Sequence, residues 1–328
     1  MRVLLLALLA ASTLAAWQAE RRTYVFDPEG RRTLWSGATS GDTRRISLGR
    51  DMNGREAKVE EVEEKVLRDA GGVKVVERLI RRFDPNGRPL PPEKELVETT
   101  TRPGGAVSTA TTVYKADLNG RLQPAERIVE DSRQSGPLTT TETRVERPTI
   151  NGAFAPIERR VAQERAGDQS SEREETSYLP DTNGRFQEAA RRVARSVKEG
   201  ETVREQVDEY EAATSGQLQL SRQSIARIEK DPSGGERRVV DVFGPAAPGR
   251  AVTPGQLSLR ERQIIEVTAT AQGAVETLSI QRPALQGRGE LGEPVKISET
   301  VCTGKCLAPP PSPPKPAAPT AVEKKPGQ

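Results

Sequence analysis

Asp51-Met52-Asn53-Gly54-Arg55 returns as Asp84-Pro85-Asn86-Gly87-Arg88, as Asp117-Leu118-Asn119-Gly120-Arg121 and as Asp181-Thr182-Asn183-Gly184-Arg185. Asn151-Gly152 and Ser215-Gly216 extend the series, so successive glycines stand 33, 33, 32, 32 and 32 residues apart. Asn and Gly tolerate positive φ, which a type I′ hairpin turn requires at its two central positions. Each of these sites is therefore read as a reversal of the chain. Gly71-Gly72, Gly104-Gly105, Gly136, Gly167, Gly200 and Gly234-Gly235 fall between them. Each unit is two segments of about a dozen residues joined by two kinds of turn, and a fixed period of this size marks a repeat.

The residues around the turns keep the same offsets. Tyr114, Tyr178 and Tyr210 lie six positions before the glycine, Glu60, Glu93, Glu126 and Glu158 six after it, and Val129, Val161, Val193 and Ile225 nine after it. Flanks such as Thr139 to Arg147 and Ser108 to Tyr114 are rich in Thr, Val and Tyr and have strand composition. A helical reading competes for half of each unit. Phe186, Ala189, Ala190, Val193, Ala194 and Val197 recur at three and four residues before Gly200. The equivalent Arg222 to Lys230 and Arg262 to Ala269 segments are β-branched and end without a helix stop, which favours strands throughout.

The expected fold is all-β: an antiparallel β-hairpin repeat, a meander of period about 32 residues. With Phe 5, Tyr 4 and Trp 2 in 328 residues, a thick core cannot be built, so the sheet is expected to be elongated or thin. An array whose units touch only their neighbours needs less core per residue. The expected divisions are a signal peptide over 1–16, irregular hairpins over 22–53, regular repeats over 54–245, degenerate repeats with a Cys pair over 246–306, and a disordered Pro-rich tail over 307–328. The leader reading rests on Met1-Arg2 before the apolar run Val3 to Ala16. That run is too short for a membrane helix, and no later run reaches about 20 apolar residues. The exported chain is thus expected to carry no integral membrane span and to be secreted, periplasmic or on the cell surface.

Charge and residue types narrow the function. Lys plus Arg number 50 against 47 Asp plus Glu, interleaved as in Glu158-Arg159-Arg160. A nucleic-acid binder gathers basic charge on one face, so nucleic acid is disfavoured as a partner. The chain has no His, which removes Ser-His-Asp and Cys-His catalysis and the commonest general base at neutral pH. Cys302 and Cys306 are the only cysteines; in an oxidising compartment they are expected to close a small disulfide loop. No cofactor or metal site is expected. The Asp-x-Asn-Gly turns lack the positions of an EF-hand loop.

These features point to an exported, non-enzymatic protein acting as a structural or adhesive surface at the cell envelope. The first alternative is a module binding an extracellular glycan, peptide or envelope protein through two rows: Tyr114, Tyr178 and Tyr210, and Arg55, Arg88, Arg121 and Arg185. A carboxylate-based glycosidase is the second, though carboxylates that recur in unit after unit favour structure over a unique active site.

Overall fold

The computed structural model describes residues 19–304 apart from 28, 41–42, 103, 214–215, 232–233, 246–256 and 284–289. The signal-peptide and Pro-rich-tail expectations fall outside the described residues. The first nine strands are β1 (Ala19–Phe26), β2 (Arg32–Ser40), β3 (Arg44–Arg50), β4 (Glu56–Ala70), β5 (Val73–Arg82), β6 (Glu93–Thr101), β7 (Val107–Ala116), β8 (Leu122–Ser135) and β9 (Leu138–Pro148). They are followed by β10 (Phe154–Ala166), β11 (Ser170–Pro180), β12 (Phe186–Glu199), β13 (Thr202–Ala212), β14 (Leu218–Lys230), β15 (Glu236–Pro245), β16 (Leu257–Thr270), β17 (Gly273–Gln281) and β18 (Val295–Gly304). The segment with helical spacing, Phe186 to Val197, is strand β12.

The Asn-Gly sites do reverse the chain, by a different turn from the one expected. Asp51 N–H donates to the Arg55 carbonyl at 2.9 Å and Gly54 N–H to the Asp51 carbonyl at 3.0 Å. The Asp51 carboxylate accepts the backbone N–H groups of Asn53 and Arg55, both at 2.8 Å. Asp84, Asp117 and Asp181 repeat this pattern. Gly54 has φ +74, while no non-Gly residue among those described has positive φ. The loop is therefore a three-residue one, closed by a left-handed glycine, rather than a two-residue type I′ turn. The Asp supplies what the Asn was expected to supply.

Just beyond most of these turns the register slips by one residue. The shifts at this end fall at Thr23/Tyr24, Ser47/Leu48, Val113/Tyr114, Pro156/Glu158, Ser177/Tyr178, Glu209/Tyr210, Val242/Phe243 and Leu278/Ser279, with one more at the opposite end, Val66/Arg68. A β-bulge bends its strand and increases local twist. Repeated at one level in hairpin after hairpin, it is the device that curls a sheet into a barrel.

The sheet closes. Each strand pairs antiparallel with the next, and β18 pairs with β1 over Ala19↔Gly304 to Val25↔Ser298. Thr23 Oγ1 and Thr300 Oγ1 meet across that seam at 2.9 Å. The expected elongated or thin sheet is thus corrected to a closed 18-stranded barrel. The physical reason is the edge: an open meander exposes two rows of unpaired N–H and C=O groups, and closure satisfies both.

Carried once round the ring, the register returns about 20 residues further along β1. With strands about 4.8 Å apart, this sets a strand tilt of about 40° and a backbone diameter of roughly 35 Å. All Asn-Gly turns lie at one end. The glycine turns of the other set and the outer ends of β1 and β18 lie at the opposite end.

Two handedness rules decide which face looks inward. For L-residues, side-chain direction is tied to the side on which a residue makes its backbone hydrogen bonds. Glu64 donates its N–H to Thr43, on the β3 side, and cross-strand partners share a face. Barrel strands tilt in one sense because strands twist in one hand, and here the register drifts toward the Asn-Gly turns as strand number rises. Together these place Glu64, Val62, Ile80, Arg78 and Val76 inside. Most of the buried positions agree: Val62, Val76, Ile80, Ala162, Ala226, Ile228, Val242, Ala274 and Thr300 are inward, against Glu61, Glu146, Thr176, Val193 and Asp208 outward.

Candidate functional site

The candidate site is the barrel interior and its mouths. Every described residue belongs to a strand or to a connection between strands. A ring of 16 to 18 strands is wide enough to leave an aqueous channel after side chains are added.

Charged ladders run across the inner wall of β4–β6 and β10–β13. Arg82 lies between Glu60 (3.1 Å) and Glu93 (3.0 Å), and Arg78 between Glu64 (2.9 Å) and Glu95 (3.6 Å). Arg173 reaches Glu164 at 3.3 Å and Glu175 at 3.1 Å. Over β14–β17 the inner wall is more apolar, with Ala226, Ile228, Val240, Val242, Leu278 and Ile280 in register. The interior is thus polar and ionic along one arc and smoother along the other.

The outer wall is charged as well. Arg127 pairs with Glu146 at 2.6 Å, Arg159 with Glu142 at 2.9 Å and Arg262 with Asp241 at 2.6 Å. Glu61, nearly covered, is held by Lys58 at 2.9 Å and by Arg44. Such exposed pairs contribute little each, about 0–1 kcal/mol, so stability is spread over the ladders of the ring.

The structure puts the two predicted rows in different places. Tyr114, Tyr178 and Tyr210 share the outer face at the Asn-Gly end, beside the bulges. All other Phe and Tyr residues join them on that face and at that end: Tyr24, Phe26, Phe83, Phe154, Phe186 and Phe243. Sequence reasoning missed this collar because it followed three tyrosines alone: Tyr24 keeps their offset, Phe26 and Phe83 stand four before their glycines, and Phe154 and Phe186 two after theirs. Lys94 sits 5.0 Å from the Tyr114 ring and Arg159 5.6 Å from that of Tyr178.

Arg55, Arg88, Arg121 and Arg185 stand on the rim itself, exposed, at positions of inward parity. Two turn carboxyls at this end, Asp84 and Asp27, are held low. The Asp84 carboxyl lies below the ordinary carboxylate range because it accepts backbone N–H groups, that of Arg88 foremost, and Asp27 does so through the Arg31 guanidinium. Cys302 lies in β18 opposite Arg21 and Ala274. Cys306 lies outside the described residues, and no described cysteine is free.

Among the described residues no group of His, Cys, Asp or Glu is arranged to hold a metal ion. Nor is any helix long and apolar enough to cross a membrane. The second fact says nothing of strands, and the expectation of no membrane span rested on helix length alone.

The arrangement matches solved structures. A mutant of Rh. blastica porin superposes with a TM-score of 0.53 at 9% identity, covering 88% of this chain and 99% of that one. The likeness is one of fold. Salmonella typhi OmpF in complex with daunomycin (TM-score 0.46, 8% identity, 87% and 95% covered) and Acinetobacter baumannii OccAB4 (0.44, 11%, 89% and 99%) are weaker matches. No family model matches the sequence, and no curated protein does.

A porin-like closed barrel overturns the reading of a secreted repeat protein acting as a structural or adhesive surface. It equally overturns the glycan- or peptide-binding module and the glycosidase. The hairpins that were to present an extended face instead enclose a lumen. The partner reading without a membrane span loses its ground as well, since a closed barrel can cross a membrane with strands.

Proposed function

We propose that the protein is a porin-like, non-enzymatic conduit of the cell envelope, passing small polar solutes through its lumen. The observation that carries this reading is closure: β18 returns to β1, leaving a hollow ring with ion-paired walls. Strands of about ten residues tilted by about 40° give a barrel some 25 Å tall, comparable to the apolar band of outer-membrane barrels. The aromatic collar marks one end, as aromatic girdles mark membrane interfaces. The lumen holds both signs of charge in ladders, which suits hydrated solutes of either sign better than one ion.

The outer wall sets this barrel apart from one made for lipid along its full height. An Arg or Lys facing lipid at mid-membrane costs about 2–4 kcal/mol, and pairing it with a carboxylate lowers that cost without removing it. Conductance is therefore the measurement that decides. Purified protein added to a planar bilayer is expected to give stepwise, ohmic conductance with weak preference between anions and cations. Folded protein that associates with the bilayer but never conducts would overturn the conduit.

A further inference from the structure

Asn53-Gly54, Asn86-Gly87, Asn119-Gly120, Asn151-Gly152 and Asn183-Gly184 stand on one rim of the barrel. Asn followed by Gly is the pair most open to spontaneous deamidation, because the glycine has no side chain to crowd its nitrogen. That nitrogen attacks the carbonyl carbon of the Asn side chain, the new C–N bond closes a succinimide ring, and ammonia leaves. Water then opens the ring to aspartate or, with the backbone routed through the side chain, to isoaspartate. No oxidant or enzyme is needed. All five asparagines are exposed, so access to water does not separate them.

The hydrogen bonds of the turns do separate them. In all five the glycine N–H is tied to the carbonyl three residues back, at 2.9 or 3.0 Å. A nitrogen held in that bond cannot lose its proton and reach the Asn side chain, so ring closure waits for the turn to open. Four of the turns carry a further clasp. Asp51, Asp84, Asp117 and Asp181 each accept the N–H of the Asn itself at 2.8 Å and that of the Arg after the glycine at 2.8 or 2.9 Å. In the fifth turn Thr149 stands in place of the aspartate and Ala153 in place of the arginine. Its backbone bonds remain, Gly152 N–H to the Thr149 carbonyl at 2.9 Å and Thr149 N–H to the Ala153 carbonyl at 2.7 Å. Among the described residues no side chain accepts the N–H of Asn151 or Ala153.

We infer that Asn151 is the modification site of this rim, deamidating ahead of the other four asparagines because its turn lacks the aspartate clasp. A carboxylate that accepts two backbone N–H groups holds the loop shut, and its negative charge opposes loss of the glycine proton. Both effects are missing at Thr149. Local sequence argues the other way, since the branched Ile150 before Asn151 crowds ring closure. The product adds a carboxylate to the loop joining β9 and β10, and isoaspartate lengthens the backbone of that loop by a methylene. This assignment does not rest on the conduit reading.

The test is peptide mapping by mass spectrometry of the folded full-length chain after incubation in warm, mildly alkaline buffer, reading aspartate and isoaspartate at each site. Asn151 is expected to convert at least about fivefold faster than Asn53, Asn86, Asn119 or Asn183, the scale set by two charge-assisted hydrogen bonds in an exposed loop. Thr149→Asp should slow Asn151 to the rate of the others, and Asp117→Thr should raise Asn119 toward that of Asn151. Circular dichroism checks that both variants keep the sheet. In denaturant strong enough to abolish the sheet, Asn151 should lose its lead.

Equal or undetectable conversion at all five sites of the folded protein would overturn the inference. So would a Thr149→Asp variant whose Asn151 reacts as fast as before. A lead for Asn151 that survives denaturation would overturn it too, since the cause would then be local sequence and not the turn.

Discussion

Deleting residues 295–328, which removes β18 and all that follows, is expected to turn a monomeric barrel into an aggregating open sheet. β18 is paired on both sides, with β17 from Gly273↔Thr303 to Ile280↔Val295 and with β1 from Ala19↔Gly304 to Val25↔Ser298. Its loss exposes the edges of β17 and β1 together. Each edge presents a row of unpaired donors and acceptors, and those of another molecule offer a ready match. Nothing inside the barrel compensates, because stability lies in strand pairs worth on the order of 0.2–1 kcal/mol each rather than in a thick core. Size-exclusion chromatography of the refolded chain reads the outcome, with deletion of 305–328 alone as the control that should remain monomeric. A monomer of unchanged hydrodynamic size after loss of β18 would mean that closure is not what holds the fold.

Gly273→Val is expected to be the most damaging single substitution among the described glycines. Its φ is +152, in a region that disfavours side chains. A Cβ there would run into the Cys302 carbonyl on β18, with the Thr303 Cα 3.1 Å away. That obstacle is backbone, so relief requires β17 to part from β18, one strand from the seam. Strain of this kind costs about 1–3 kcal/mol, and lost pairing adds to it, so a loss of roughly 3 kcal/mol or more is expected in denaturant titrations. Gly120→Val is the comparison. Its φ is +75 with open space around the site, and the cost should be confined to backbone strain of about 1–2 kcal/mol. Equal effects of the two substitutions would deny the close β17–β18 approach.

Local signals were legible in the sequence, and closure was not. Asp-x-Asn-Gly-Arg marked the reversals correctly because the Asp carboxylate and the glycine φ are properties of five adjacent residues. The tyrosine register pointed to a shared level, which the structure identifies as the level of the bulges. Nothing near Thr23 announces Thr300, since that contact spans 277 residues and its pairing energy is no different from that of any other antiparallel strands. A meander sequence is therefore equally consistent with a ribbon and a ring. The low aromatic content was read as the mark of a thin sheet, and a single-layer barrel satisfies it equally well. The collar escaped notice because its members use three offsets, the tyrosines six before the glycine, Phe26 and Phe83 four before it, and Phe154 and Phe186 two after it, and only the pairing of the strands shows that these positions share one face. The membrane expectation failed for a simpler reason: length of apolar run is a criterion for helices, whereas a strand shows only alternate residues to its surroundings.

The seam gives the most direct test of closure. In a Cys302→Ser/Cys306→Ser background, Thr23→Cys and Thr300→Cys place two thiols on directly opposed residues of β1 and β18, within reach of a disulfide. A closed barrel predicts rapid cross-linking within one chain under mild oxidation, seen as faster migration on non-reducing gels at low protein concentration. Thiols that stay free, or that join only between molecules, would show β1 and β18 to be separate edges and would contradict the barrel.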